Sequence, residues 1–245
     1  MRALLLLLAL LAAPAARAAA PHCREMTFED HDYAVCEVRA GEDLRLFLNG
    51  PNGPWAGFAP LQIALAEQGL DLVFAMNAGM YHPDFSPVGL YVEEGKELSG
   101  IVTSDGPGNF GLLPNGVFCI GKRFAVIESR AFASTRPDCR FATQSGPMLV
   151  IDGALHPRFK PASDSLNIRN GVGVSADGRT AWFALSDQPV NFAAFARLFR
   201  DALGAPNALY FDGSISRLYS QDLGRNGAGF AIGPIVALLR PKGGQ

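Results

Sequence analysis

Asp212 is the residue best placed to do chemistry. It ends the apolar run Ala208–Phe211 and is followed by Gly213 and Ser214, which are too small to cover it. A carboxylate at a strand end can protonate a leaving group or activate water, and burial of the strand behind it would raise its pKa toward that of a general acid. The plain alternative is an Asp-Gly hairpin turn.

Other positions also set polar groups beside glycines or apolar strands. Asn77-Ala78-Gly79 follows a buried-looking strand, and without a Cβ at Gly79 the backbone N–H groups there can approach a ligand closely. Asn109, Gln144 and Ser145 offer amides and a hydroxyl to sugar hydroxyls; Gly213 and Ser214 complete the substrate side. Arg169 enters an otherwise apolar strand, which is costly unless its head finds an anion, so it is expected to hold a phosphate. The candidate partners of Asp212 are Asp187, at a strand end before a helix, and His82, just beyond Asn77–Tyr81. Each has a bland reading: a helix cap for Asp187, a solvated side chain for His82, a surface arginine for Arg169. Asp177-Gly178, between Ser175 and Arg179, reads as a turn only.

Several chemistries are absent. No Gly-x-Ser-x-Gly elbow, His-x-x-x-His pair or Gly-x-x-x-x-Gly-Lys-Ser/Thr loop occurs, and the proline in Gly106-Pro-Gly-Asn109 removes a donor from what would be a phosphate cradle. No metal site and no cofactor is expected. The remaining set of carboxylate, amide, arginine and backbone N–H suits sugars and phosphodiesters. With a net charge of −2 and no Lys/Arg cluster, the chain lacks the electrostatic footprint of a nucleic-acid binder.

Met1-Arg2, the apolar run Ala3–Ala13 and an Ala-x-Ala site at Ala16-Arg17-Ala18 describe an export signal over residues 1–20, too short for a membrane span. A periplasmic or secreted location follows, with no stable span after cleavage. Residues 21–245 are read as one domain. In an oxidising compartment the four cysteines favour two disulfides; three connectivities can be drawn, and the sequence-local one joins Cys23 to Cys36 and Cys119 to Cys139.

The elements that must position these residues are mostly short strands. Asp32–Val38, Asp43–Asn49, Asp71–Met76, Val88–Val92, Glu97–Thr103, Asn109–Leu113, Gly116–Ile120, Arg123–Ile127, Met148–Ile151, Ile168–Ser175, Thr180–Ser186 and Ala208–Phe211 carry strand patterns, with a closing strand near Ala231–Leu239. Helices are expected over Phe58–Gln68 and Asn191–Leu203, the second capped by Asn191 and ended at Gly204. The expected fold class is α+β: a single domain with a large, mainly antiparallel or mixed sheet and a few packed helices.

Asn77-Ala-Gly-Met-Tyr81, Asn109-Phe110, Asn115-Gly-Val-Phe118, Gln144-Ser-Gly-Pro147, Arg169-Asn-Gly-Val-Gly173 and Tyr210–Ser216 occur in an order and spacing that resembles the phosphodiester glycosidase domain family. Ser186–Phe192 further resembles an exported bacterial branch of it. The likeness spans about Asp71 to Leu239, and implies release of a sugar, N-acetylglucosamine-like in one branch, from a sugar-1-phosphodiester. The residues after Asp212 depart from a longer glycine-rich run found elsewhere in the family, which bears on sugar specificity. On this reading the partner is a sugar phosphodiester or a cell-envelope glycan. Asp212 acts with Asp187 or His82, Arg169 holds the phosphate, and Asn77, Asn109 and Gln144 hold the sugar. The rival readings are a non-catalytic glycan-binding envelope protein and a metal-dependent phosphodiesterase.

Overall fold

Side chains on both faces of the central strands Leu70–Asn77, Gly116–Ile120, Phe141–Ser145, Asn170–Val174 and Asn207–Asp212 are buried, so each sheet needs a partner on either side. The computed structural model describes residues 20–213 and 215–243. The segment read as an export signal, apart from Ala20, and Ser214 lie outside the described residues. The strands form three main sheets, and every pairing between them is antiparallel.

The seven-stranded sheet runs in the spatial order Cys23–Phe28, His31–Arg39, Thr180–Ser186, Asn170–Val174, Asn207–Asp212, Met148–Ile151 and Ala154–Leu155. A five-stranded sheet orders Phe124–Glu128, Gly116–Ile120, Phe141–Ser145, Tyr91–Glu93 and Lys96–Ser99. A second orders Arg225–Asn226, Leu218–Ser220, Leu70–Asn77, Ile235–Pro241 and Asp43–Phe47. The large antiparallel sheet expected from sequence is thus accompanied by two smaller ones.

The period-2 pattern explains the layering. Ala34, Cys36, Phe183, Leu209 and Phe211 of the large sheet point into one core with Phe118 and Phe141 of the first small sheet and Phe74, Met76 and Leu238 of the second. The opposite faces are each covered by one helix. Phe195 and Phe199 of Phe192–Ala202 pack under Tyr33, Ala208 and Tyr210. Phe58, Leu61 and Leu65 of Phe58–Glu67 cover Leu72, Ala75 and Ala237. Phe132 of Ser129–Thr135 covers Val117 and Cys119.

Asn191 caps its helix, accepting from the Ala194 N–H at 2.9 Å, and Gly204 follows with φ +67°. The helix is α-helical only to Arg197 and ends in a π turn, Leu198–Ala202. Ser129–Thr135 is a helix that the sequence pattern did not announce: the Glu128 carboxylate caps it by accepting from the N–H groups of Arg130 and Ala131. The strand expected over Asn109–Leu113 is a set of turns instead. The chain doubles back so tightly there that a Cβ on Gly111 would lie 2.0 Å from the Gly106 carbonyl oxygen. Both disulfides join the sequence-local partners, Cys23–Cys36 across paired strands and Cys119–Cys139.

Candidate active site

The strand Asn207–Asp212 delivers its carboxylate through a bulge. Gly171 stands opposite Tyr210, but Asn170 stands opposite Asp212, so the Asp212 strand carries one extra residue at its end. Such a bulge re-aims the final side chain. Asp212 is 9% exposed, its backbone N–H donates to Asn170 Oδ1 at 3.1 Å, and its Oδ1 accepts from the Gly213 N–H at 2.6 Å. The following turn must run close over Tyr210, since a Cβ on Gly213 would lie 1.8 Å from the Tyr210 hydroxyl. Only glycine fits there.

Asp212 opens into a cavity of about 600 Å³ whose walls include Tyr81, His82, Asn109, Phe110 and Ile215. Three of the sequence-predicted residues, Asp212, His82 and Asn109, therefore meet in one place. Tyr81 spans the wall and donates its hydroxyl to the Ala231 carbonyl at 2.8 Å. Burial raises the Tyr81 pKa, the nearby negative charge of Asp212 raises it further, and Arg217 partly opposes both, so the phenol keeps its proton. Among the described residues no three His, Cys, Asp or Glu side chains gather into a metal-binding group.

The amides expected to bind sugar are engaged elsewhere. Asn77 is fully buried, donates to the Ile215 carbonyl at 2.7 Å and accepts from the Arg217 N–H at 2.9 Å. Asn170 Nδ2 donates to the Asn77 backbone carbonyl at 2.8 Å and to its Oδ1 at 3.1 Å, and Ser216 Oγ donates to the Asp212 carbonyl at 2.7 Å. This network pins both ends of the Asp212 turn to two sheets. Gln144 accepts from the N–H groups of Leu90 and Val102, both at 3.0 Å, and donates to the Val102 carbonyl and Ser129 Oγ. Ser145 donates to the Phe211 carbonyl at 2.8 Å. Gly79 is closely packed, with Thr143 Oγ1 3.0 Å from where its Cβ would be. None of Asn77, Gly79, Gln144, Ser145 or Gly213 lines the cavity. A buried amide has the same letter in the sequence whether it meets a ligand or a strand, and only long-range partners separate the two.

Arg169 also lies outside the cavity walls. It is wholly buried, with Nε donating to the Val190 carbonyl at 2.8 Å and one terminal nitrogen to the Ser165 carbonyl at 2.9 Å. Its guanidinium lies 3.7 Å over the Phe192 ring and 5.4 Å from that of Tyr210. The other terminal nitrogen, like the Tyr210 hydroxyl, has no hydrogen-bond partner among the described residues. Desolvation lowers the Arg169 pKa, against the opposing influence of Tyr210. The anion that the sequence seemed to require is replaced by carbonyls and aromatic faces, and Arg169 does not line the Asp212 cavity.

Asp187 is also elsewhere. Arg225 grips its carboxylate with two bonds, at 2.6 and 2.8 Å, and Asp187 is absent from the walls around Asp212. Ser214 lies outside the described residues. Two residues of this region are not among the candidates named from the sequence: Tyr81, which lines the cavity, and Asn170, the hub beneath Asp212. For Asn170 the signal was its place beside Arg169 in the same motif.

The fold and cavity define an antiparallel α+β protein that ends a buried, bulged strand on a carboxylate facing an open pocket. A family model described as phosphodiester glycosidase matches residues 71–230, and the chain belongs to that family. The chain is similar to YigE of Escherichia coli (strain K12), an uncharacterized protein, at 37% identity over 180 residues, 73% of this chain and 70% of that one. Among solved structures, its fold is similar to the catalytic domain of zebrafish N-acetylglucosamine-1-phosphodiester alpha-N-acetylglucosaminidase, auto-inhibited by its pro-peptide. That match has a TM-score of 0.59 and 14% identity, over 91% of this chain and 85% of the other. A Burkholderia pseudomallei K96243 protein described as exported matches with TM-score 0.51 and 13% identity, over 85% and 74%.

Proposed function

We propose that the protein is an exported hydrolase that releases a sugar from a glycosyl-1-phosphodiester by breaking the bond between the anomeric carbon and the phosphate oxygen. The observation that carries this reading is Asp212, buried at a strand end yet open to a cavity that it shares with His82 and Asn109, in a chain of the phosphodiester glycosidase family. The activity named for the zebrafish neighbour favours an N-acetylglucosamine-like sugar. The apolar N-terminal run and the two disulfides favour export.

In this mechanism water adds across the C–O bond: its hydroxyl goes to the anomeric carbon and its proton ends on the departing phosphate monoester. Asp212 supplies the proton transfer, giving one to the leaving oxygen or taking one from water. A phosphate monoester already leaves readily, so the chief demand is stabilisation of positive charge on the sugar ring, which the carboxylate also meets. His82 is the partner on the phosphate side, and Asn109 contacts sugar hydroxyls. Asp187 has no part in this scheme.

The test is hydrolysis of a panel of sugar-1-phosphodiesters in oxygen-labelled water. Label in the released sugar is expected. Label in the phosphate would instead establish P–O cleavage, and binding without turnover would establish a glycan-binding protein.

A further inference from the structure

The sequence has no Lys/Arg cluster, yet the fold assembles one in space, at the end of the large sheet away from Asp212. A cavity of about 400 Å³ is walled by Arg39, Lys122, Arg123 and Arg179, with Ala40 and Thr180 completing it. These residues come from three segments that backbone bonds stitch together. Arg39 stands opposite Thr180 in the strand ladder, and Ala40 N–H donates to the Arg179 carbonyl at 2.8 Å. Phe124 N–H donates to the Gly178 carbonyl at 2.9 Å, and the Arg123 guanidinium donates to the Asp177 carbonyl. Gly178 permits that approach: its φ is +69°, and a Cβ there would lie 2.7 Å from the Phe124 carbonyl oxygen. Thr180 begins the strand whose Leu185 pairs with Asn170, the partner of Asp212. Roughly 16 Å of strand therefore separates the two ends. A ligand at the cluster stays clear of Asp212.

Neutralisation sets this cluster apart. Elsewhere Arg45, Arg140, Arg197, Arg200 and Arg225 each meet a carboxylate in two bonds of 2.6–2.9 Å. Here Arg39 reaches Glu37 at 3.3 Å and Arg179 reaches Asp177 at 3.8 Å. Both carboxylates are also engaged elsewhere: Asp177 accepts from the Ser175 hydroxyl and the Arg179 N–H, and Glu37 from the Trp182 ring. Among the described residues Lys122 and Arg123 form no ion pair. Like charges held together cost stability that a bound anion returns. The positive region is also compact. The adjoining cavities that share Arg123 carry Asp177 on one side and Glu94 and Asp138 on the other. That boundary fits a small, multiply charged ligand and not a long polyanion.

We infer that this cavity is a second ligand site, for a compact group carrying two adjacent phosphates, such as a pyrophosphate or bisphosphate. Four cations against two loosely held carboxylates leave an excess of positive charge that such a ligand matches. Guanidinium forks take phosphate oxygens in pairs, and Lys122 adds a point charge. The site is independent of the reaction proposed above.

Calorimetry with pyrophosphate on the purified protein is the test. Lys122 and Arg179 are exposed, and neither side chain packs into the core, so Lys122→Ala and Arg179→Ala keep the fold, which melting temperatures check. Each is expected to weaken pyrophosphate binding about tenfold, the worth of one hydrogen bond to a charged group, and added salt should weaken it too. His82→Ala, at the other cavity, should leave it unchanged. Vesicles bearing a lipid pyrophosphate separate two sources of the same chemistry. Co-sedimentation that the two variants abolish assigns a headgroup, and binding of the soluble anion alone assigns a free ligand. Absence of binding to both probes would overturn the site. So would binding that His82→Ala removes and the Lys122→Ala and Arg179→Ala variants retain.

Discussion

Two polar regions lie within one turn of each other and use the same kinds of side chain to opposite ends. On the core side of the Asp212 turn, Asn77, Asn170, Gln144 and Ser145 are buried and bonded to backbone groups distant in the chain. On the cavity side, Asp212, His82 and Asn109 share an open volume. The first region spends its hydrogen bonds on holding the second still. What separates scaffold from chemistry here is the partner, not the residue type.

The sharpest way to break that contrast is Asp212→Asn, nearly isosteric and stripped of titration. We expect turnover to fall by roughly 10²–10⁴-fold, the usual contribution of a positioned acid or base, with the melting temperature within a few degrees of wild type. Retained activity would move the proton transfer elsewhere. A collapsed fold would return Asp212 to the scaffold.

The converse case is Asn170→Ala. It removes the acceptor of the Asp212 N–H and the donor to Asn77. Buried groups left unpaired cost about 1–3 kcal/mol each, so denaturant unfolding should show a loss of at least that size. Unchanged stability with altered substrate affinity would place Asn170 on the cavity side.

Arg169→Lys sharpens the comparison further. The planar head that spans the Val190 and Ser165 carbonyls while lying on Phe192 has no ammonium equivalent. A stability loss of about 1–2 kcal/mol is expected from the lost bonds. Activity should fall by the same factor on a phosphodiester and on a neutral aryl glycoside of the same sugar. A selective loss on the phosphodiester would restore Arg169 as a phosphate ligand.

Asp187→Asn should do least. The pair with Arg225 is partly exposed, with side-chain exposures of 29% and 25%, and such pairs contribute about 0–1 kcal/mol. Turnover should be unaltered. A large loss in kcat would make Asp187 the second carboxylate after all.

Local signals were legible in the sequence, and signals that depend on distant partners were not. Asn191 and Gly204 bracket a helix because cap chemistry acts within a few residues. Asp212 stood out because an apolar strand followed by small residues leaves a carboxylate uncovered. Ser129–Thr135 stayed hidden: Phe132 is its one large apolar side chain against a sheet, and its cap is a glutamate rather than one of the usual small polar residues. The division of Asn77 and Gln144 from Asn109 was invisible for a stronger reason. Asn77 finds its partners at residues 170, 215 and 217, and no local pattern encodes that meeting. The argument that a buried cation needs an anion omits carbonyls and aromatic faces, and Arg169 contacts both.

The large sheet guards its two rims differently. One rim is the strand Ala154–Leu155, only two residues long and too brief to template another chain. The other is the six-residue strand Cys23–Phe28, fastened at its first residue to Cys36 on the neighbouring strand. Reduction of that bond leaves the rim strand held by its ladder alone, and if it peels away the largely buried strand His31–Arg39 becomes a long, apolar edge open to self-association. The disulfide thus acts as a clasp on the rim, and light scattering with and without a reductant is expected to show more self-association of the reduced protein.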